Sequence, residues 1–181
     1  GAENPLLWSL SFEGDYQDSF TSLNGDVGNP GSFTGAPCGG IGTPFCVANL
    51  NSTGAASELR ADGSRDAADN DVTLVASSLP TGSTGYLLVS ANTGFSPNPG
   101  GSLGNLCLGA PIGRYVGPGQ IGNSGTAGEI ALALDLTALP QPTGFVSAMP
   151  GETWYWQLWH RDSVGGQPVS NFTNGLSVSF E

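Results

Sequence analysis

Apolar and polar positions alternate with period two along most of this chain. At residues 6–13, Leu6, Trp8, Leu10 and Phe12 alternate with Leu7, Ser9, Ser11 and Glu13, which predicts a strand with one buried face. At residues 153–162, TWYWQLWHRD, the alternation places Trp154, Trp156, Leu158 and His160 on one face and Tyr155, Gln157, Trp159 and Arg161 on the other. Both faces of this second segment carry large apolar surface. Such a strand belongs inside a sandwich or an assembly, unless one face is a platform for sugar rings.

Further strands are predicted over 45–50, 57–61, 72–76, 85–90, 106–108, 112–116, 129–136 and 176–180, the last with Leu176, Val178 and Phe180 on one face. Breakers separate them, among them LPTG at 79–82, SPNPGG at 96–101, GPG at 117–119 and PQPTG at 140–144. Ten strands at this spacing predict an all-β fold, a two-sheet antiparallel β-sandwich of jelly-roll or Ig-like type with little or no helix. No repeat of solenoid period and no linker of interdomain length is present, so one domain over 1–181 is expected, with 1–13 as a strand that could be exchanged between chains.

Composition strengthens the β reading, because 29 glycines and 13 prolines in 181 residues leave no long helical pattern. Charge narrows the partners. Fifteen acids oppose four arginines and no lysine, a formal net charge of -11, so nucleic acid and anionic membrane surfaces are repelled. No run reaches transmembrane length, so no transmembrane segment is expected. The start at Gly1 without methionine fits an exported chain whose signal has been removed, and three cysteines in a low-charge β protein point to an extracellular or cell-surface setting with one disulfide.

Reactive groups are scarce. His160 is the one histidine, no nucleophile-elbow motif accompanies it, and the absence of lysine removes lysine-based covalent chemistry. His160 therefore reads as a packed strand residue. The carboxylate pairs Glu129 with Asp135 and Glu152 with Asp162 read as solvated charges at strand ends, and the chain is not expected to be an enzyme. Asp62, Asp66, Asp69 and Asp71 in ADGSRDAADND supply hard oxygen ligands within ten positions and make calcium the one candidate cofactor, although their order is not that of an EF-hand loop. A second acidic group, Glu13, Asp15, Asp18 and Asp26, has the same character. The sequons at Asn51 and Asn171 read as turn residues bonded to local backbone.

Several ordered blocks carry a resemblance: FC at 45–46, NSTG at 51–54, ADNDVTL at 68–74, GNLCLG at 104–109, IGR at 112–114, residues 154–162 and SNFTNGL at 170–176. Together, over 45–180, they resemble a domain that recurs at the C-terminal end of large secreted proteins of planctomycete-type bacteria. The resemblance implies export and a β architecture, and it brings no catalytic residue with it. It also bears on the cysteines: Cys46 and Cys107 fall inside recurrent blocks, which implies that they pair, whereas a local bridge between Cys38 and Cys46 is the alternative.

Two functions are then expected in order. The first is an extracellular structural protein, a subunit that joins copies of itself into a surface fibre or sheath by strand addition through Leu6, Trp8, Leu10 and Phe12 or through Leu176, Val178 and Phe180. The second is a secreted carbohydrate-binding or adhesion module, calcium-dependent or not, that binds cell-surface or matrix polysaccharide on Tyr155 and Trp159.

Overall fold

A computed structural model describes residues Gly40–Glu181. Leu6, Trp8, Leu10 and Phe12, the acids Glu13 to Asp26, and Cys38 lie outside the described residues.

Among the described residues there are fourteen strands, two short 3-10 turns and no α-helix. In chain order they are β1 (Thr43–Cys46), β2 (Glu58–Gly63), β3 (Val72–Ser77), β4 (Thr84–Ser90), β5 (Thr93–Ser96), β6 (Leu106–Leu108), β7 (Gly113–Arg114), β8 (Gly122–Asn123), β9 (Ile130–Ala133), β10 (Leu139–Pro140), β11 (Phe145–Val146), β12 (Thr153–Val164), β13 (Gln167–Phe172) and β14 (Gly175–Ser179). Every pairing is antiparallel. One sheet runs β1-β14-β12-β4-β7, with β13 and β8 beside it; a second runs β2-β3-β9; β5-β6 and β10-β11 form two small ribbons.

The expected all-β antiparallel fold is what the chain adopts. Trp154, Trp156 and Leu158 of β12, Leu87 and Val89 of β4, and Leu176 and Val178 of β14 share one apolar cluster with Leu59, Leu74, Ala76 and Ile130 from the smaller sheet. The two sheets thus bury their facing sides against each other, the arrangement of a sandwich. The alternation in TWYWQLWHRD produces this directly, since one parity of β12 supplies the wall of the core.

Two strand predictions shorten or lengthen for local reasons. The 45–50 strand ends at Cys46, because the register of β1 against β14 shifts after Pro44 and Asn51 then forms a tight turn in which its Oδ1 accepts from Thr53 N at 2.9 Å. The strand expected over 153–162 runs on to Val164 and returns as β13, which the sequence pattern did not indicate. Gly165 and Gly166, both at positive φ, make the two-residue hairpin that allows the return. Pro168 is tolerated in β13 because that strand pairs only with β12 and is an edge.

Cys46 is bonded to Cys107, with Cα atoms 6.4 Å apart and 61 residues between them. This overturns the Cys38–Cys46 alternative, since Cys46 is already used. The bridge ties β1, at the margin of the large sheet, to β6. A bridge of this kind suits an oxidising environment. No described helix is long and apolar enough to cross a membrane.

Candidate functional site

The second face of β12 is covered in the middle and half-open at its flanks. Gln157 is fully buried there: its Oε1 accepts from Cys107 N at 2.9 Å, and its Nε2 donates to Asn105 O at 2.9 Å and Thr173 O at 2.8 Å. One amide side chain thereby clamps β6 over the sheet. On either side Tyr155 packs edge-on against Phe45, with ring centroids 5.4 Å apart, and Trp159 packs against Tyr86 at 5.0 Å. A small cluster of Leu88, Leu108 and Phe172 completes this layer.

Tyr155 and Trp159 do not form a joint sugar platform. Gln157 and the β6 cover separate them, the Trp159 and Tyr86 rings are tilted by 36° rather than coplanar, and the Arg161 guanidinium lies over the Trp159 ring at 5.1 Å. The ring face a pyranose would use is shared with a cation of the same chain.

The first face ends in a buried polar seam. His160 is fully buried, its Nδ1 is 3.0 Å from Arg161 O and its Nε2 is 3.1 Å from Ser57 Oγ. A carbonyl can only accept, so Nδ1 carries the proton and Nε2 accepts from the serine hydroxyl. Asn51 Nδ2 donates to Ser57 Oγ at 2.9 Å and to Ser78 O at 2.7 Å. Burial pushes the His160 pKa below its ordinary value, against the bond to Arg161 O and the charge of Asp162.

Asp162 was expected at a solvated strand end and is instead buried. Its Oδ1 accepts from Ser52 N at 3.1 Å and Ser163 N at 2.8 Å, and its Oδ2 accepts from Asn171 Nδ2 at 3.2 Å. Burial alone would raise its pKa, but these bonds outweigh it and hold the carboxyl below the usual range. Asn171 is likewise no turn residue: it sits in β13, fully buried, and also bonds Leu50 O at 3.2 Å. Its sequon is closed to a glycosylating enzyme in the folded chain.

Ser57 and His160 are oriented as a nucleophile and its base are oriented. Neither reaches solvent. Ser57 shares the parity of the buried Leu59 and Ala61, which turns its hydroxyl toward the interior, so in this fold the pair fastens the 50–57 loop to β12 and offers nothing to a substrate.

The acidic cluster is dispersed into separate tasks. Asp62 pairs with Arg60 at 2.9 Å, Asp66 Oδ1 caps Ala68 N at 2.9 Å, and Asp69 accepts from Ser64 Oγ at 2.5 Å. Asp71 joins none of these bonds. Among the described residues no three such groups converge as metal ligands, so Asp62, Asp66, Asp69 and Asp71 are not brought together around a cation.

Leu176, Val178 and Phe180 are also placed differently from a donor strand. They are buried in the chain's own core, and β14 lies between β1 and β12 with both of its edges paired.

What the structure does bring together is an apolar corner around β1. Val47 is 84 % exposed, Phe95 69 %, and Phe45 37 %. These three line a hollow of about 380 Å³ with Cys46, Thr93 and Cys107. On the other side of Cys46 and Val47 a groove of about 410 Å³ runs between Pro44, Val47 and Ala48 and the margin of β2 at Ala56–Arg60. Leu50, 65 % exposed, follows in the same loop. The sequence reading placed Phe45, Val47 and Leu50 in a strand over 45–50 and gave no sign that they would be uncovered.

No family model matches this chain, no curated protein is detectably similar to it, and no solved structure matches it.

Proposed function

We propose that this chain is an exported structural subunit that joins copies of itself by strand addition into an extracellular fibre or sheath. The observation that carries the reading is the uncovered apolar corner of Phe45, Val47, Leu50 and Phe95 at the margin of the large sheet. Monomeric proteins scatter such residues singly, and a contiguous group beside a sheet margin fits an interaction surface. The sealing of Ser57 and His160 takes away the one nucleophile-and-base pair of the described residues. The disulfide and the resemblance to C-terminal domains of secreted planctomycete-type proteins support export. Because β14 is used at home, the segment at 6–13 is the donor under this reading.

The test is electron microscopy and light scattering of the purified full chain, with and without a chelator. Concentration-dependent polymers that persist in the chelator are expected. Assembly should also strengthen with salt, since subunits of net charge -11 repel one another and screening removes that penalty. A chain that stays monomeric up to high concentration at moderate salt and binds polysaccharide would refute the reading in favour of an adhesion module.

A further inference from the structure

The 50–57 loop, which joins β1 to β2, is tied together by its own backbone. Asn51 N donates to Ala55 O at 2.8 Å, Gly54 N donates to Asn51 O at 2.9 Å, and Leu50 bridges Ala56. None of its residues belongs to either apolar cluster. Among the described residues, what docks the loop is the polar seam: Asn51 Nδ2 donates to Ser78 O, Ser52 N to Asp162 Oδ1, Asn171 Nδ2 to Leu50 O, and the Ser57 hydroxyl to His160 Nε2. Asn174 N adds a bond to Ser57 O, where the loop runs into β2. Two of these bonds end on titratable groups, His160 and Asp162.

We propose that this loop is an acid-released flap: when His160 takes a second proton, the loop lifts from β12 and β13 while both sheets stay folded. Neutral His160 accepts the Ser57 hydroxyl through the lone pair on Nε2, since Nδ1 carries the proton held by Arg161 O. Protonation turns that acceptor into a second donor. Ser57 would then have to turn its own proton to Ser78 O, which is 3.5 Å away and already accepts from Asn51 Nδ2 at 2.7 Å. Under a docked loop the imidazolium also stays buried, whereas lifting brings it to water. The charged groups around it do not reverse this. On β12, Asp162 favours the cation but is engaged by Ser52, Ser163 and Asn171, and Arg161 lies on the opposite face over Trp159. The loop, β3 and β13 carry no ionisable side chain, β4 meets His160 at Gly85, and Glu58, Arg60 and Asp62 of β2 are exposed. Burial outweighs the Asp162 charge, so the docked loop favours neutral His160 and the lifted loop does not. Docking is therefore full above the ordinary pKa of 6.5 and weakens about tenfold per pH unit below it. Asp162 keeps its charge through that range, because its pKa is depressed. Lifting uncovers the Asp162 carboxylate and the Asn51 amide, two groups that the docked loop keeps from water.

The experiment is hydrogen exchange followed by NMR on the full chain between pH 7.5 and 5.5, corrected for the intrinsic exchange rate, with and without low urea. Ser52 is the reporter, because its amide bonds across the seam to Asp162. Its protection is expected to lie below that of Trp156 and Leu158 in β12, to be unchanged by low urea, and to fall about tenfold from pH 6.5 to 5.5. His160→Gln should make the Ser52 protection flat in pH. Ser57→Ala, which keeps the imidazole, should lower that protection about fivefold at pH 7.5. Ser52 protection equal to that of the β12 core, or as sensitive to urea, means that the loop opens only with the whole fold and overturns the proposal. Protection already flat in pH in the parent chain overturns it as well, and so does a fall with pH that persists in His160→Gln.

Discussion

Gln157 is the residue on which the covered face of β12 turns, and Gln157→Leu tests that dependence. The substitution keeps the volume nearly constant and removes three hydrogen bonds. The Cys107 N–H is left buried without an acceptor, which costs about 1–3 kcal/mol, and the Asn105 and Thr173 carbonyls lose a donor at about 1 kcal/mol each. Against this, the leucine side chain gains roughly 1–2 kcal/mol from placing methyl groups where the amide stood. The balance is a loss of about 1–4 kcal/mol. A core argument from apolarity alone gives the opposite sign, since the site is fully buried. Urea unfolding followed by tryptophan fluorescence, with the disulfide intact, measures the difference through the midpoint at constant slope. A Gln157→Leu chain as stable as the parent, or more stable, would refute the view that this amide clamps β6 to the sheet.

Two other outcomes follow from the seam and the bridge. His160 has a folded pKa below its ordinary 6.5, so the folded chain binds fewer protons than the unfolded one just below that pH, and stability present above pH 6.5 should fall as the pH drops through that value. His160→Gln should flatten the urea midpoint between pH 7.5 and 5.5, whereas a parent midpoint already flat across that range contradicts the burial argument. Asp162 acts lower: its folded pKa is depressed, so its contribution is present above about pH 4 and is lost below it. Reducing the Cys46–Cys107 bridge, or the double substitution Cys46→Ser with Cys107→Ser, removes a cross-link over 61 residues and should cost about 4 kcal/mol. A thermal shift of only a degree or two would contradict that figure, and the unreduced denatured chain should titrate as one free thiol.

The β12 core face was legible because period two leaves no choice about which parity faces the partner sheet once Trp154, Trp156 and Leu158 share it. His160 and Asp162 share the same parity, and here the pattern stops being informative: burial of a polar group depends on partners from residues 52, 57 and 171, which no local window contains. β13 was missed for a different reason. Its sequence QPVSNF carries a proline and no apolar alternation, and it is held as a strand by the hairpin at Gly165 and Gly166 and by Asn171. Tyr155 and Trp159 read as a pair because they lie four residues apart on one face, yet Gln157 between them receives β6, a contact made across fifty residues of sequence. The aspartates near 62–71 clustered in sequence but not around one point in space, as Asp62, Asp66 and Asp69 each found a nearer bond. The exposed corner at Val47 and Phe95 joins two segments some fifty residues apart, and only the folded chain shows that neither covers the other.

Asn174 closes much of the β2 margin with a side chain, its amide meeting both the N–H and the carbonyl of Leu59. The turn between β13 and β14 thereby does for β2 what a neighbouring strand does elsewhere in a sheet. Among the described residues the backbone bonds of Asn174 N to Ser57 O and of Ile41 N to Ala61 O flank it, so Asn174→Ala would open a gap of one residue in an otherwise closed margin.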